Sequence, residues 1–236
     1  MGLADLHIHT IYSYDGTATV PDVLRRACEV GLNVIAITDH DEIRGALQAL
    51  ELAPRFGVEV IPGIEITTAE GDLLALFITE KVEAGLSLVE TVLKVRALGG
   101  VCIAPHPSAG GMGMKSLSVA AILKALRNPQ AADTLIGIEA YNATALDRVN
   151  IATARLLTAH ANLASTGSSD AHVVETIGLG ATEFEGTSAA DMLSALRSGR
   201  TSVRRQKEWT AFRILGLWAW NYLRSAFTTR LAMTAN

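Results

Sequence analysis

Cysteine is nearly absent from this chain. Among 236 residues only Cys28 and Cys102 occur, too few for a disulfide framework, and a reducing, cytoplasmic setting is expected. Aromatic residues make up only 5 %, so aliphatic side chains must fill any core. Nothing at the N-terminus resembles the basic segment and long apolar run of a secretory signal. No stretch reaches the roughly 20 apolar residues that cross a bilayer, so no transmembrane span is expected. Residues 1–190 also lack a Gly/Ser linker, a charge block or an internal repeat. One large α/β domain is therefore expected over residues 1–200, with a compositional break near residues 200–207 and an extension over 201–236.

What is present is an aliphatic, acidic body followed by a basic tail. The hydrophobic share is 49 % and the charged share 19 %, a globular composition. Residues 1–191 hold 12 basic and 23 acidic side chains, a net −11, whereas residues 192–236 hold 8 and 1, a net +7. Such a body collects cations. Short runs rich in Val, Ile and Leu at 3–9, 32–38, 58–67, 73–79, 101–105, 135–141 and 163–166 predict strands. Helices are predicted over 20–30, 43–56, 86–98, 119–127, 147–162 and 189–198. The first has Thr19 as N-cap, Pro21 in its first turn and Gly31 just past its end. Repeated strand-then-helix units imply a parallel sheet with crossover helices, and their number favours a closed barrel. No helix separates 58–67 from 73–79; the Glu70-Gly71-Asp72 turn predicts a hairpin and thus a distorted barrel. The glycine-rich run Gly110-Gly111-Met112-Gly113-Met114-Lys115 reads as a mobile loop over the site.

Five polar clusters sit at the ends of these apolar runs: Asp5-Leu6-His7-Ile8-His9-Thr10, Thr38-Asp39-His40, Gly63-Ile64-Glu65, Pro105-His106-Pro107 and Ser169-Asp170-Ala171-His172. They contain five of the six histidines. Strand alternation places Asp5, His7 and His9 on one face and Ala4, Leu6 and Ile8 on the other. An inward Asp and two His on an apolar strand are costly unless paired or metal-bound. In parallel barrels the carboxyl ends of the strands meet at one mouth. Imidazoles and carboxylates gathered there are what a multinuclear divalent-metal centre requires.

These clusters, with Asp15-Gly16 and Gly167-Ser168, resemble the PHP (polymerase and histidinol phosphatase) family over roughly the first 200 residues. The resemblance implies a distorted (β/α)7-type barrel holding two or three divalent metals, Zn, Mn or Fe rather than Mg. It implies that His7, His9, Glu65 and Asp170 hold one metal, and that Glu65 bridges to a second also bound by His106. Asp15, His40 and His172 would hold the third. Asp170, His172 and His106 are the candidate catalytic residues. A metal-bridging hydroxide would attack phosphorus in line, while the proton donor is a site aspartate, a histidine or a metal-bound water. Asp5 and Asp39 are expected to orient imidazoles. The family often places another histidine after the strand that here ends Ile138-Glu139-Ala140-Tyr141-Asn142; its absence implies a weaker second site, or one completed by Asn142, water or substrate.

Lys115 and Arg148 are candidate phosphate contacts. His160 is expected to face solvent, Cys102 to be buried and inert, and Cys28 to pack within its helix. The tail holds Trp209, Trp218 and Trp220, and is expected to form a helix docking on the barrel or another subunit, burying Trp209, Trp218 and Phe212; a membrane-surface helix is the alternative. The implied activity is a metal-dependent phosphomonoesterase acting on a small metabolite or nucleotide. Alternatives are an exonuclease or oligonucleotide phosphatase, a histidinol-phosphate phosphatase, and a non-catalytic metal-stabilised module.

Overall fold

A computed structural model of the chain describes residues 1–109, 115–144, 147–205, 209 and 211–234. Among the described residues nine strands form one sheet: β1 (Gly2–Asp5), β2 (Val34–Ile37), β3 (Glu59–Thr67), β4 (Asp72–Leu76), β5 (Val101–Ala104), β6 (Leu135–Asn142), β7 (Ala164–Ser168), β8 (Gly180–Phe184) and β9 (Thr201–Arg205). The helices are α1 (Val20–Glu29), α2 (Arg44–Leu52), α3 (Leu88–Ala97), α4 (Val119–Ala125), α5 (Pro129–Ala132), α6 (Asp147–Ala161), α7 (Ala189–Arg197) and α8 (Ala211–Thr234). Local chemistry sets their ends. Thr19 caps α1 and Pro21 fills its first turn, while Ser87 and Glu90 close a reciprocal capping box on α3. Gly31, at φ 77°, takes the left-handed turn after α1.

The strand order is β7-β6-β5-β4-β3-β2-β1-β8-β9. Pairing is parallel from β1 through β3 and from β5 through β7, and β4 runs against both β3 and β5. The expected hairpin is therefore present, with Thr67 opposite Asp72. Because β4 is reversed on both sides, β1, β2, β3, β5, β6 and β7 all point one way and end at a common rim. The ring closes at that rim through a parallel bridge between Ile8 and Ala171. Beneath it, hydroxyls tie β7 to the β8–β9 hairpin: Thr182 Oγ1 accepts from Gly167 N at 3.0 Å and donates to Gly167 O at 2.9 Å, and Thr201 Oγ1 donates to Ser165 O at 2.7 Å. A Cβ on Gly167 would lie 2.6 Å from Ala181 O, so only glycine permits this approach. The result is the expected distorted barrel.

Two apolar clusters fill it. One gathers Ala4, Leu6, Val34, Ala36, Ile61, Leu74, Leu76, Ile103 and Phe184 from around the ring, with Met192, Ala195 and Leu196 of α7 against it. Residues from so many strands meet only inside. The other packs Ile35, Ile37, Ile64 and Ile66 beneath Val23, Leu24, Ala46 and Val92 of the helices.

Several expectations change. The first strand ends at Asp5 and not at His9, and the alternation breaks with it: Ala4 and Leu6 belong to the interior cluster while Ile8 joins the helix-side one. The break lets Asp5 turn away to bond Ser169 N and Gly178 N, each at 3.0 Å, while His7 and His9 turn inward. β8, β9 and α5 were not expected; Gly180-Ala181-Thr182-Glu183-Phe184 and the polar Thr201–Arg205 lack an aliphatic run, and their partners are distant in sequence. Cys28 is exposed, its thiol bonding Phe56 O at 2.7 Å, instead of packed. Cys102 is buried, and burial pushes its thiol pKa up, as an inert core thiol requires. Among the described residues no helix is long and apolar enough to cross a membrane.

Candidate metal centre

The forward strands deliver their following residues to the shared rim. His7 and His9 follow β1, His40 follows β2, Glu65 lies in β3, His106 follows β5, and Asp170 and His172 follow β7. They converge on Glu65. Its Oε2 lies 3.1 Å from His7 Nε2, 3.2 Å from His9 Nε2 and 3.2 Å from His40 Nδ1; its Oε1 lies 3.2 Å from His106 Nε2. Asp170 Oδ1 is 3.4 Å from His7 Nε2 and 3.3 Å from His9 Nε2. Asp15 Oδ2 is 3.2 Å from His172 Nε2 and 3.5 Å from His40 Nε2. Every residue expected as a ligand is thus brought together. Three groups have potential ligand atoms within 4.8 Å of one another: His9, Asp15, His40 and His172; His7, Glu65 and His106; and His7, His9 and Asp170.

The chemistry of this cluster fits divalent cations. Four donors at about 2.1 Å around a tetrahedral ion are about 3.4 Å apart, close to the spacings here. His9 Nε2 is buried without a hydrogen-bond partner although two carboxylate oxygens lie within 3.3 Å, as expected of an atom aimed at a shared centre. Burial alone would raise the pKa of Glu65, but His7, His40 and His106 outweigh it and hold Glu65 well below the usual range. Burial is likewise outweighed at Asp170 by His7, His9 and His172, leaving it ionised. Burial would lower His7, yet Asp170, Glu65 and Glu139 hold it well above an ordinary imidazole. Raised imidazoles carry protons at neutral pH that a cation must displace. Loading the metal-stripped protein at pH 7 should therefore release protons, and affinity should weaken as pH falls. A pH-stat titration checks this, and a proton-neutral uptake would remove the imidazoles from the ligand set.

Glu139 is the main residue that sequence reasoning passed over. It is fully buried; its Oε1 meets His7 Nδ1 at 3.0 Å, and its Oε2 accepts from His106 N at 2.8 Å and from Asn142 Nδ2 at 2.9 Å. A carboxylate inside the apolar strand β6 was the available signal. The imidazole-orienting role expected of Asp5 and Asp39 falls to Glu139. Asp39 instead bonds Thr10 N and Thr10 Oγ1, at 2.6 and 2.8 Å, and Asp5 holds the segments after β7, so both shape ligand-bearing loops. Asn142 also donates to Asp170 Oδ2 at 3.1 Å and accepts from Thr144 N at 2.9 Å, which places its amide in a scaffold. His106 Nδ1 lies 3.0 Å from Ser116 Oγ. His106 and Asp170 sit at φ 28° and 51°, left-handed conformations that cost non-glycine residues energy and concentrate at functional sites.

A cavity of 310 Å³ opens onto this cluster. Asp15, His40, Glu65, His106, Asp170 and His172 line one part, and Tyr14, Asp72, Thr144, Ile214, Leu215 and Trp218 the rest. Burial, with the nearby charge of Glu65, raises the Asp72 pKa to about 6, and its Oδ1 is buried without a partner. Lys115 is exposed and is not part of the lining; its backbone N–H approaches Asp72 Oδ2 at 3.3 Å. The side chains of Arg148 and His160, and residues 110–114 of the glycine-rich run, lie outside the described residues. In the tail, Trp218 Nε1 donates to Asp15 O at 2.9 Å and Ile214 is buried. Trp209 and Trp218 are only half-buried, and Phe212 is 89 % exposed, contrary to expectation, because two positions from the buried Ile214 it lies on the opposite face of α8.

The comparison with known proteins turns on residues 5–177, which match the model of the PHP domain. The chain belongs to the PHP domain family. The match spans every residue of the candidate centre, and the expected class, a metal-dependent hydrolase of phosphoric esters, is the one these findings support. The PHP chain is 46 % identical over 114 residues to the uncharacterized protein MJ1587 of Methanocaldococcus jannaschii, an alignment covering 44 % of this chain and 67 % of that protein. It is 42 % identical over 65 residues to the phosphoribosyl 1,2-cyclic phosphate 1,2-diphosphodiesterase of Eggerthella lenta, covering 28 % of this chain but only 24 % of that enzyme. Among solved structures it resembles PsfC from Pseudomonas syringae PB-5123, with a TM-score of 0.67, 20 % identity and coverage of 96 % and 98 % of the two chains. That likeness carries the fold.

Proposed function

We propose that this PHP protein is a phosphomonoesterase acting on a small phosphorylated molecule, and the observation carrying this reading is the small cavity set directly against the ligand cluster. At 310 Å³ it lies at the lower end of pockets that enclose small ligands, and α8 residues wall one side of it. An oligonucleotide would need an open groove with basic and aromatic residues in succession. Among the described lining residues there is no lysine or arginine. When bound, two or three divalent cations, with Zn, Mn or Fe suited to this imidazole–carboxylate donor set, would supply an activated water and neutralise phosphate oxygens.

The chain's own residues divide the remaining work. Glu65, with both oxygens facing imidazoles, links the His7/His9/Asp170 group to His106. Asp15, His40 and His172 form the cavity-facing group that substrate phosphate would meet first. Asp72 lines the cavity outside the three candidate ligand groups, so its carboxyl is available to hold the proton of a departing alcohol. The two free cysteines suit the cytoplasm.

With manganese or zinc added, p-nitrophenyl phosphate should be cleaved faster than bis-p-nitrophenyl phosphate or short oligonucleotides. Faster turnover of diesters or oligonucleotides than of every monoester would replace this reading with a nuclease or cyclic-phosphate diesterase.

A further inference from the structure

Trp218 and Leu215 of α8 and Tyr14 after β1 line the cavity together with the candidate ligands. These residues are unnecessary for holding cations, and they lie beyond or beside the ligand motifs. Trp218 is fixed from two directions: its Nε1 bonds Asp15 O at 2.9 Å, and its ring stacks on Tyr222 with centroids 5.2 Å apart. Tyr14 stacks on His40 at 4.9 Å, which holds a second ring at the same mouth, where it remains 75 % exposed. A fixed indole and a phenol beside the imidazole–carboxylate cluster offer flat apolar surface to the part of the ester that is not phosphate. A polyol would leave its hydroxyls unpaired against that surface. A planar ring would stack on it.

We propose that α8 supplies the recognition wall for the alcohol half of the substrate, and that the substrate is a monoester whose alcohol carries a planar aromatic ring, such as a nucleoside monophosphate or an aryl phosphate. Trp218 is its principal specificity residue. This inference rests on the phosphomonoesterase reading and names the substrate class for the same cavity.

The test compares adenosine 5′-monophosphate, phenyl phosphate and glycerol 3-phosphate on the full-length, metal-loaded protein. Both ring-bearing esters should show kcat/KM at least roughly tenfold above glycerol phosphate. Preference for the nucleotide alone would identify a base-and-ribose site, and preference for both a site that reads only the ring. In Trp218→Ala the ratio of ring-bearing to ring-free kcat/KM should fall about tenfold, mainly through KM. Trp218→Phe keeps a ring and should retain most of the ratio, whereas Trp220→Ala, 67 % exposed on the same helix, should leave it unchanged. An equal loss on all three esters in Trp218→Ala, or no preference in the unaltered protein, overturns the proposal. If no monoester is cleaved the parent reading fails separately, and tryptophan fluorescence then decides: saturable quenching by adenosine monophosphate, absent with glycerol phosphate and lost in Trp218→Ala, supports the wall, and its absence overturns it.

Discussion

Replacing Asp170 by alanine should abolish hydrolysis and strip the protein of bound metal. Asp170 Oδ1 is shared between His7 and His9 at 3.4 and 3.3 Å, and Asp170 Oδ2 accepts from Asn142, so its loss removes a metal donor and one of the two acceptors of the Asn142 amide. His7→Ala should act similarly, because His7 belongs to two of the three candidate groups. A loss of at least about a thousandfold in kcat/KM is expected, as when a metal ligand that also fixes substrate charge is removed. Elemental analysis of the purified variants should show the metal content falling in parallel. Full activity in either variant after stripping would dismantle the site assignment.

The second large effect concerns Glu139, which is not itself in any of the three candidate groups. Glu139→Ala would leave His7 Nδ1 and His106 N facing a buried void and would take from Asn142 Nδ2 one of its two acceptors. Each unpartnered buried group costs about 1–3 kcal/mol, so a loss of several kcal/mol in unfolding free energy is expected, read by urea denaturation. Metal affinity should fall roughly 10–100-fold, the usual consequence of removing a carboxylate behind a ligating histidine. Glu139→Gln retains an acceptor and should recover most of the stability while affinity stays impaired. Unchanged metal affinity in both variants would assign Glu139 to folding alone.

The centre was legible in the sequence because its ligands follow short apolar runs, and a parallel barrel brings such positions together whatever the details of each strand. The hairpin at Glu70-Gly71-Asp72 was legible for the same local reason. What escaped depends on contacts distant along the chain. Glu139 is one carboxylate in a strand, and only folding reveals His7 behind it, 132 residues away. β8 and β9 carry too few aliphatic side chains to announce themselves, yet β8 pairs with β1 and β9 with β8. Alternation put Asp5 inward together with His7 and His9; that Asp5 turns away could not follow from it, since the ladder of β1 stops there. Trp218 was noticed as an aromatic in the tail, but nothing local connects it to Asp15, 203 residues earlier.

The closure of the barrel has a consequence for how the molecule comes apart. Among the described residues no continuous ladder joins β7 to its neighbours across the ring; threonine hydroxyls, the Asp5–Ser169 bond and the Ile8–Ala171 bridge span the gap. That line is the natural seam for partial opening. The candidate ligands straddle it: His7 and His9 hang from one lip, and Asp170 and His172 from the other. Thr17 N and Thr17 Oγ1 both donate to His172 O, at 3.0 and 2.8 Å, adding a strand of the same stitching. A cation held across the seam would bind the closed form and not the open one, so its chemical potential would set how often the ring breathes. Amide exchange near the seam would then report metal availability, and the protein's lifetime against proteases would follow the supply of the ions that its chemistry requires.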